Sequence, residues 1–193
     1  MSEQLLPGYT IYAGSSFDRA LLVKFMQLTY QELFPGQDFS HLAQTVEQYF
    51  SPETPLWWVD FIGKRQEARG EGQEEETTPS LLTPQRQFPR AEEPPHGISS
   101  SSPLKVACLW VGNAIDQVRS DRHTHIFLLY VNPEHRRRGI GKALMAYVEN
   151  WASARGDRQI SLQVFESNTA ALNLYHRLGY IPQSLWLVKQ VRS

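Results

Sequence analysis

Cysteine is all but missing from this chain: Cys108 stands alone. One thiol cannot form an internal disulfide, so nothing points to an oxidising compartment. Cys108 lies in the apolar run Val106-Ala107-Cys108-Leu109-Trp110, where a small buried thiol is expected rather than a nucleophile. Net charge is missing too. Nineteen basic residues face twenty acidic ones and leave −1 at pH 7. That balance offers no bulk attraction to nucleic acid or to an anionic membrane, so recognition of an anion has to be local. Long apolar runs are absent as well. The run at 126–131 falls far short of the roughly 20 residues a spanning helix needs, and Met1-Ser2-Glu3-Gln4 opens no basic-then-apolar leader. These absences lead to the expectation of a soluble, cytoplasmic protein with neither a nucleic acid nor a membrane as partner. There is no internal repeat.

What is present suits one domain with additional material: 193 residues, 41% of them apolar,. The addition stands out at about 63–103. There Glu67, Glu71, Glu74, Glu75 and Glu76 cluster, followed by five prolines and a serine run at 99–102. Such a stretch cannot bury enough apolar area to offset its ordering entropy, and reads as a disordered insertion in a surface loop. The remaining 150 or so residues alternate strands and helices. A strand is expected at 9–13. A helix capped by Ser15 or Ser16 is expected at 17–33, with Phe17, Leu21, Leu22, Phe25, Leu28 and Leu33 on its inner face. A shorter helix at 42–50 and strands at 55–62, 105–111 and 126–131 follow. The last is apolar without alternation, as in a strand covered on both faces. Then come a helix at 141–155 with Gly156 at its end, a strand through Ile160, Leu162 and Val164, a helix from Ser167 or Asn168 to about 178, and a final strand at 184–191. The fold class is therefore α/β or α+β, helices layered on a sheet.

Between the central strand and its helix lies Asn132-Pro133-Glu134-His135-Arg136-Arg137-Arg138-Gly139-Ile140-Gly141-Lys142-Ala143. A helix N-terminus offers unpaired N–H groups and about half a positive charge. Glycines let a phosphate approach the backbone, and arginines add charge and forked donors. Together these make a diphosphate site. A Walker loop would need glycine where Arg136 stands and Ser or Thr where Ala143 stands. A dinucleotide fingerprint would need a third glycine where Leu144 stands. Both are excluded.

Arg136-Arg137-Arg138-Gly139-Ile140-Gly141 fits Arg/Gln-x-x-Gly-x-Gly/Ala and resembles the acyl-CoA signature of the Gcn5-related N-acetyltransferase superfamily. A later block from Leu162 to Tyr180, in which Asn168 opens a helix and Tyr175 precedes Leu178-Gly179-Tyr180, resembles that family's second motif. The resemblance covers about 127–180; the first half matches in layout only. It implies a mixed, mostly antiparallel sheet splayed at the strand ending near Val131. It implies acetyl-CoA as co-substrate, with the backbone of Leu129, Tyr130 and Val131 against the pantetheine arm and Asn168 touching that arm. The loop Arg136, Arg137, Arg138, Gly139, Ile140, Gly141 and Lys142 would hold the pyrophosphate. Tyr175 would sit near the sulfur as the acid that protonates the departing thiolate, its phenol ordinarily titrating near pH 10. The implied reaction is attack of a primary amine on the thioester, the acceptor being a protein N-terminus, a lysine or a small-molecule amine. The alternative is an acyl-CoA-binding regulatory module without turnover. Where many protein-acetylating relatives carry a Glu base, this chain has Gln163, which leaves Glu166, His123 and His125 as candidates. His123 and His125 precede the central strand and share one face, but no third ligand stands at metal-binding spacing, and no metal is expected. Tyr30, Phe34, Trp57 and Trp58 are candidates for an aromatic acceptor wall.

Overall fold

The computed structural model describes residues 2–63 and 103–191; the insertion expected at 63–103 falls almost wholly outside them. Six strands are present: β1 Ser2–Leu6, β2 Tyr9–Ala13, β3 Leu56–Phe61, β4 Leu104–Ile115, β5 Arg122–Val131 and β6 Ile160–Leu162. They form one sheet in chain order, with every neighbouring pair antiparallel except the parallel pair β5–β6. The helices are α1 Arg19–Leu33, α2 Leu42–Tyr49, α3 Ile140–Ala154 and α4 Thr169–Arg177. The sheet has a core on each face. Leu22, Phe25 and Val46 from α1 and α2 pack with Trp58, Cys108, Trp110 and Tyr130. Leu144, Met145 and Val148 of α3 and Tyr175 of α4 pack with Ile11, Val59, Ala107 and Leu109. Alternate residues of β3 and β4 serve opposite cores, which is why both strands read as unbroken apolar runs. Full burial of each such side chain contributes about 1.5–3 kcal/mol.

Several expectations need correcting. Phe17 is 95% exposed: residues Ser16–Asp18 form a single 3-10 turn, and α1 starts at Arg19 with Leu22, Phe25 and Met26 turned inward. The Asp18 carboxylate accepts the Ser15 N–H at 2.7 Å, which fixes that turn. β1 was not anticipated, and it pairs with β2 from Ser2 to Leu6. β5 begins at Arg122, so His123 and His125 lie within it rather than before it. β6 stops at Leu162, short of Val164. The final strand at 184–191 is absent; the residues are exposed and pair with no strand among the described residues. A strand needs a neighbouring edge to satisfy its backbone, and the chain after α4 reaches none. Among the described residues no helix is long and apolar enough to cross a membrane.

Candidate active site

The site begins where two strands part. β5 meets β6 at only three register pairs, Thr124↔Ile160, His125↔Ser161 and Ile126↔Leu162. Beyond them, Leu128 to Val131 pair with β4 alone, so the opposite edge of β5 offers backbone N–H and C=O groups to a split. The chain leaving β6 is drawn across to α1, where Phe165 stands edge-on to Phe34 at 5.0 Å and to Tyr30 at 6.0 Å. Phe127 is bulged out of register, and its ring lies over Gly112. A Cβ on Gly112 would come within 2.3 Å of Phe127 Cε2.

At the end of β5 the chain turns through Pro133–His135 into the glycine loop. Asn132 caps this turn, its side-chain oxygen accepting the Glu134 N–H at 3.0 Å. The loop is anchored from beneath. His135 is buried, with Nδ1 3.0 Å from the Tyr9 hydroxyl. Arg138 donates to that same hydroxyl at 3.1 Å and to the Glu134 carbonyl at 3.0 Å. Burial and the Arg138 charge lower the His135 pKa, so its Nδ1 is free to accept from Tyr9. Arg136 donates to the Val131 carbonyl at 2.8 Å and forms an ion pair with Glu32 of α1 at 2.7 Å. Arg137 and Gly139 take positive φ, +62° and +86°. The alternation turns successive amides toward one side, as in an anion nest. The first loop amide bonded is Arg136, to Pro133; the next is Ala143, to Gly139. The six amides from Arg137 to Lys142 between them have no acceptor among the described residues. Here the N-terminus of α3 adds its partial positive charge. A diphosphate fits this donor set.

Helix α4 packs close to that cradle: a Cβ on Gly141 would lie 3.2 Å from Leu174 Cδ2. The Asn168 side-chain oxygen caps α4 by accepting the Ala171 N–H at 3.1 Å. Two turns on, Tyr175 is 8% exposed, and its hydroxyl has no partner among the described residues. Burial pushes its pKa up to about 12, so the phenol keeps its proton.

Just before the split opens, where β5 and β6 are still paired, Ser161 Oγ stands between His123 Nε2 at 2.9 Å and His125 Nδ1 at 2.8 Å. Burial, and then the neighbouring His123, lower the His125 pKa. Its Nε2 has no partner among the described residues. No group of three or more metal-ligating side chains occurs among them. Gln163 and Glu166 are exposed beyond the end of β6. Trp57 and Trp58 are not wall residues: both are buried in the two cores, whereas Tyr30 and Phe34 do meet Phe165. Cys108 is fully buried, and burial raises its pKa, so it carries no thiolate chemistry. The Tyr9–His135–Arg138 chain, the Glu32–Arg136 pair and Ser161 escaped sequence analysis, because each joins residues far apart in the chain. The loop motif and the two histidines supplied one side of each contact, but no local signal marked Tyr9, Glu32 or Ser161 as the other.

A mixed sheet parted beside a glycine cradle at a helix N-terminus defines a class of acyl-group-handling folds, and comparison with known proteins agrees. Residues 104–180 match the model of the Acetyltransferase (GNAT) family, and that part of the chain is similar to the family. The ribosomal protein bS18-alanine N-acetyltransferase of Escherichia coli K12 is 39% identical over 67 residues, 35% of this chain and 45% of that protein. The acetyl transferase GW6a of Oryza sativa subsp. japonica is 47% identical over 55 residues, 28% of this chain and 13% of that protein. This chain thus spans less than half the length of either relative. Among solved structures, AAC(6')-Iy in complex with the bisubstrate analogue CoA-S-monomethyl-acetylneamine is similar with a TM-score of 0.55 and 16% identity, covering 96% of this chain and 99% of that one. The ribosomal-protein-alanine N-acetyltransferase of Brucella melitensis biovar Abortus 2308 is similar with a TM-score of 0.54 and 16% identity, with coverage of 96% and 99%. At such identity the likeness is one of fold.

Proposed function

We propose that this chain transfers an acetyl group from acetyl-CoA to a primary amine by direct attack. The observation that carries the proposal is the run of six unpaired amides, Arg137 to Lys142, beside the free edge of β5. The amides would hold the pyrophosphate, with the exposed Arg137 and Lys142 side chains as further cations. Leu129, Tyr130 and Val131 would pair with the pantetheine arm as an added strand, and the Asn168 side-chain N–H would donate to it. Arg136 and Arg138 would act from below, holding the loop in shape.

In the reaction the amine nitrogen bonds to the thioester carbonyl carbon and the carbon–sulfur bond breaks. The sulfur takes a proton from the Tyr175 hydroxyl, and the proton shed by nitrogen passes to a base. We assign the base to His125 Nε2, directly or through water. It lies where the split opens, Ser161 holds its other nitrogen, and its lowered pKa keeps it neutral near pH 7,. Acid and base then stand on opposite faces of the sheet, one from α4 and one from β5.

The acceptor is an amine that enters past Tyr30, Phe34 and Phe165: a protein N-terminus, a lysine or a small molecule. The names of the similar proteins include a ribosomal-protein alanine and a bisubstrate analogue that joins CoA to acetylneamine. An α-amine titrating near 8 is far more often neutral at pH 7.5 than a lysine near 10.4, which suits a site with no carboxylate base at Gln163. The test is thiol release from acetyl-CoA across a panel of N-terminal peptides, lysine peptides and amine antibiotics. Turnover with one class names the acceptor. Tight acetyl-CoA binding without turnover on any amine would overturn transfer in favour of a regulatory acyl-CoA module.

A further inference from the structure

Tyr9 belongs to β2, outside the stretch 104–180 that matches the family model, yet its hydroxyl reaches the glycine loop. Its ring is buried, tilted against Phe61 at 5.2 Å and edge-on to His135 at 5.8 Å. A hydroxyl has one proton to give and two lone pairs to offer. The Arg138 guanidinium can only donate, and at 3.1 Å it takes one lone pair. The hydroxyl proton is then left for His135 Nδ1 at 3.0 Å. The lowered pKa of His135 agrees, since it leaves that nitrogen bare. One oxygen on a strand thus fixes two residues of the loop.

What this anchor secures is the conformation of Arg137. An L-residue at positive φ is disfavoured by crowding between its Cβ and the backbone. Arg137 has φ +62°, and its own side chain holds nothing among the described residues. Such a conformation persists only where the surroundings over-determine it. Before it, Arg136 is held by the Val131 carbonyl and by Glu32, an ion pair with both side chains about 40% exposed, which contributes little. After it, Arg138 is held by Tyr9 and by the Glu134 carbonyl. Of the two side chains that anchor the loop arginines, only Tyr9 is buried. Without its hydroxyl, Arg137 is free to leave the left-handed region, and the amides from Arg137 to Lys142 no longer converge on one point.

We propose that Tyr9 is a positioning residue for the diphosphate and sets the preference of the site for acyl donors that carry one. It touches no part of the donor and acts through Arg138 and His135 on the six amides. The proposal rests on the reading of those amides as a diphosphate cradle. The pantetheine end, on the free edge of β5, is held by other groups and is indifferent to Tyr9. The Tyr9 hydroxyl therefore matters in proportion to the phosphates a thioester brings.

The experiment is calorimetry with acetyl-CoA, acetyl-phosphopantetheine and acetyl-pantetheine, the last two read by displacement of acetyl-CoA. Tyr9→Phe keeps the buried ring. The dissociation constant of this variant for acetyl-CoA is expected to rise about tenfold or more, as for loss of one hydrogen bond to a charged group. That for acetyl-pantetheine is expected to be unchanged, with acetyl-phosphopantetheine between. A double variant with Arg138→Met is expected to bind acetyl-CoA no more weakly than Arg138→Met alone, because Tyr9 acts through Arg138. Additive losses overturn the proposal. So does a Tyr9→Phe protein that binds acetyl-CoA as tightly as wild type, or one that loses affinity equally for all three thioesters. If Tyr9→Phe does not fold, His135→Leu removes the acceptor of the same hydroxyl and is judged by the same outcomes. Only binding is read, so the result stands whether or not an amine is acetylated. A wild type that binds no acetyl-CoA removes the cradle reading and the proposal with it.

Discussion

Tyr175 and His125 are tuned by the same force with opposite results. Burial disfavours charge, so it raises the phenol and lowers the imidazole, leaving one residue with a proton to give and the other free to take one. Replacing Tyr175 with Phe removes the donor and little volume. Turnover is expected to fall about 10²–10⁴-fold, with acetyl-CoA affinity, measured by calorimetry, nearly unchanged; an equal loss of affinity would make Tyr175 a binding residue. His125→Gln keeps a hydrogen-bonding amide and removes the proposed base. The folded pKa of His125 lies below the ordinary 6.5, so the wild-type rate should decline as pH drops through a value under 6.5. That limb should vanish in the variant, while the limb set by acceptor deprotonation stays. Identical acidic limbs in both proteins would exclude His125. The residue scale also shows where a motif misleads. Arg136, Arg137 and Arg138 are equivalent in sequence, yet Glu32 and the Val131 carbonyl engage the first, and Tyr9 and the Glu134 carbonyl engage the third. Arg137 alone has no side-chain partner among the described residues.

At the scale of elements, β5 determines the chemistry. Its first half is stitched to β6, its second half is free on that side, and the bulge at Phe127 lies between. Gly112 leaves room for the bulged ring. Gly112→Ala is expected to force that ring aside and to lower unfolding free energy by about 1–3 kcal/mol, read by urea denaturation. Because the ring also packs on His125 at 5.2 Å, turnover should fall along with stability. A variant as stable as wild type would mean that the ring has space to move. Helix α3 was legible from its 3.6-residue stripe and its glycines, and the structure begins it at Ile140, one residue from the expected start. The length of β6 was not legible. Ile160, Leu162 and Val164 alternate as a strand should, but Phe165 binds to α1 and pulls the chain off the sheet before Val164.

For the whole molecule, Phe61 and Leu104 are register partners, so everything between them closes a β3–β4 hairpin. We propose that the chain is a single domain into which 64–102 are inserted. Replacing those residues with a four-residue turn shortens the closing loop roughly tenfold, which should stabilise the fold by about 2 kcal/mol, read as a raised melting temperature. Acetyl transfer is expected to persist; its loss would assign the segment a part in the site. By itself the amino-acid sequence determined the two apolar runs of β3 and β4, the strand–glycine loop–helix order and the capped helix carrying Asn168 and Tyr175. Those features depend on local periodicity and on backbone preferences that act over a few residues. Only the tertiary structure decided that β5 and β6 part after Ile126, that Tyr9 and Glu32 hold two of the three arginines, that Ser161 joins two histidines, and that the 184–191 segment pairs with no strand among the described residues. Each of these depends on partners tens of residues apart, and no local pattern records which distant group a side chain or a strand edge will meet.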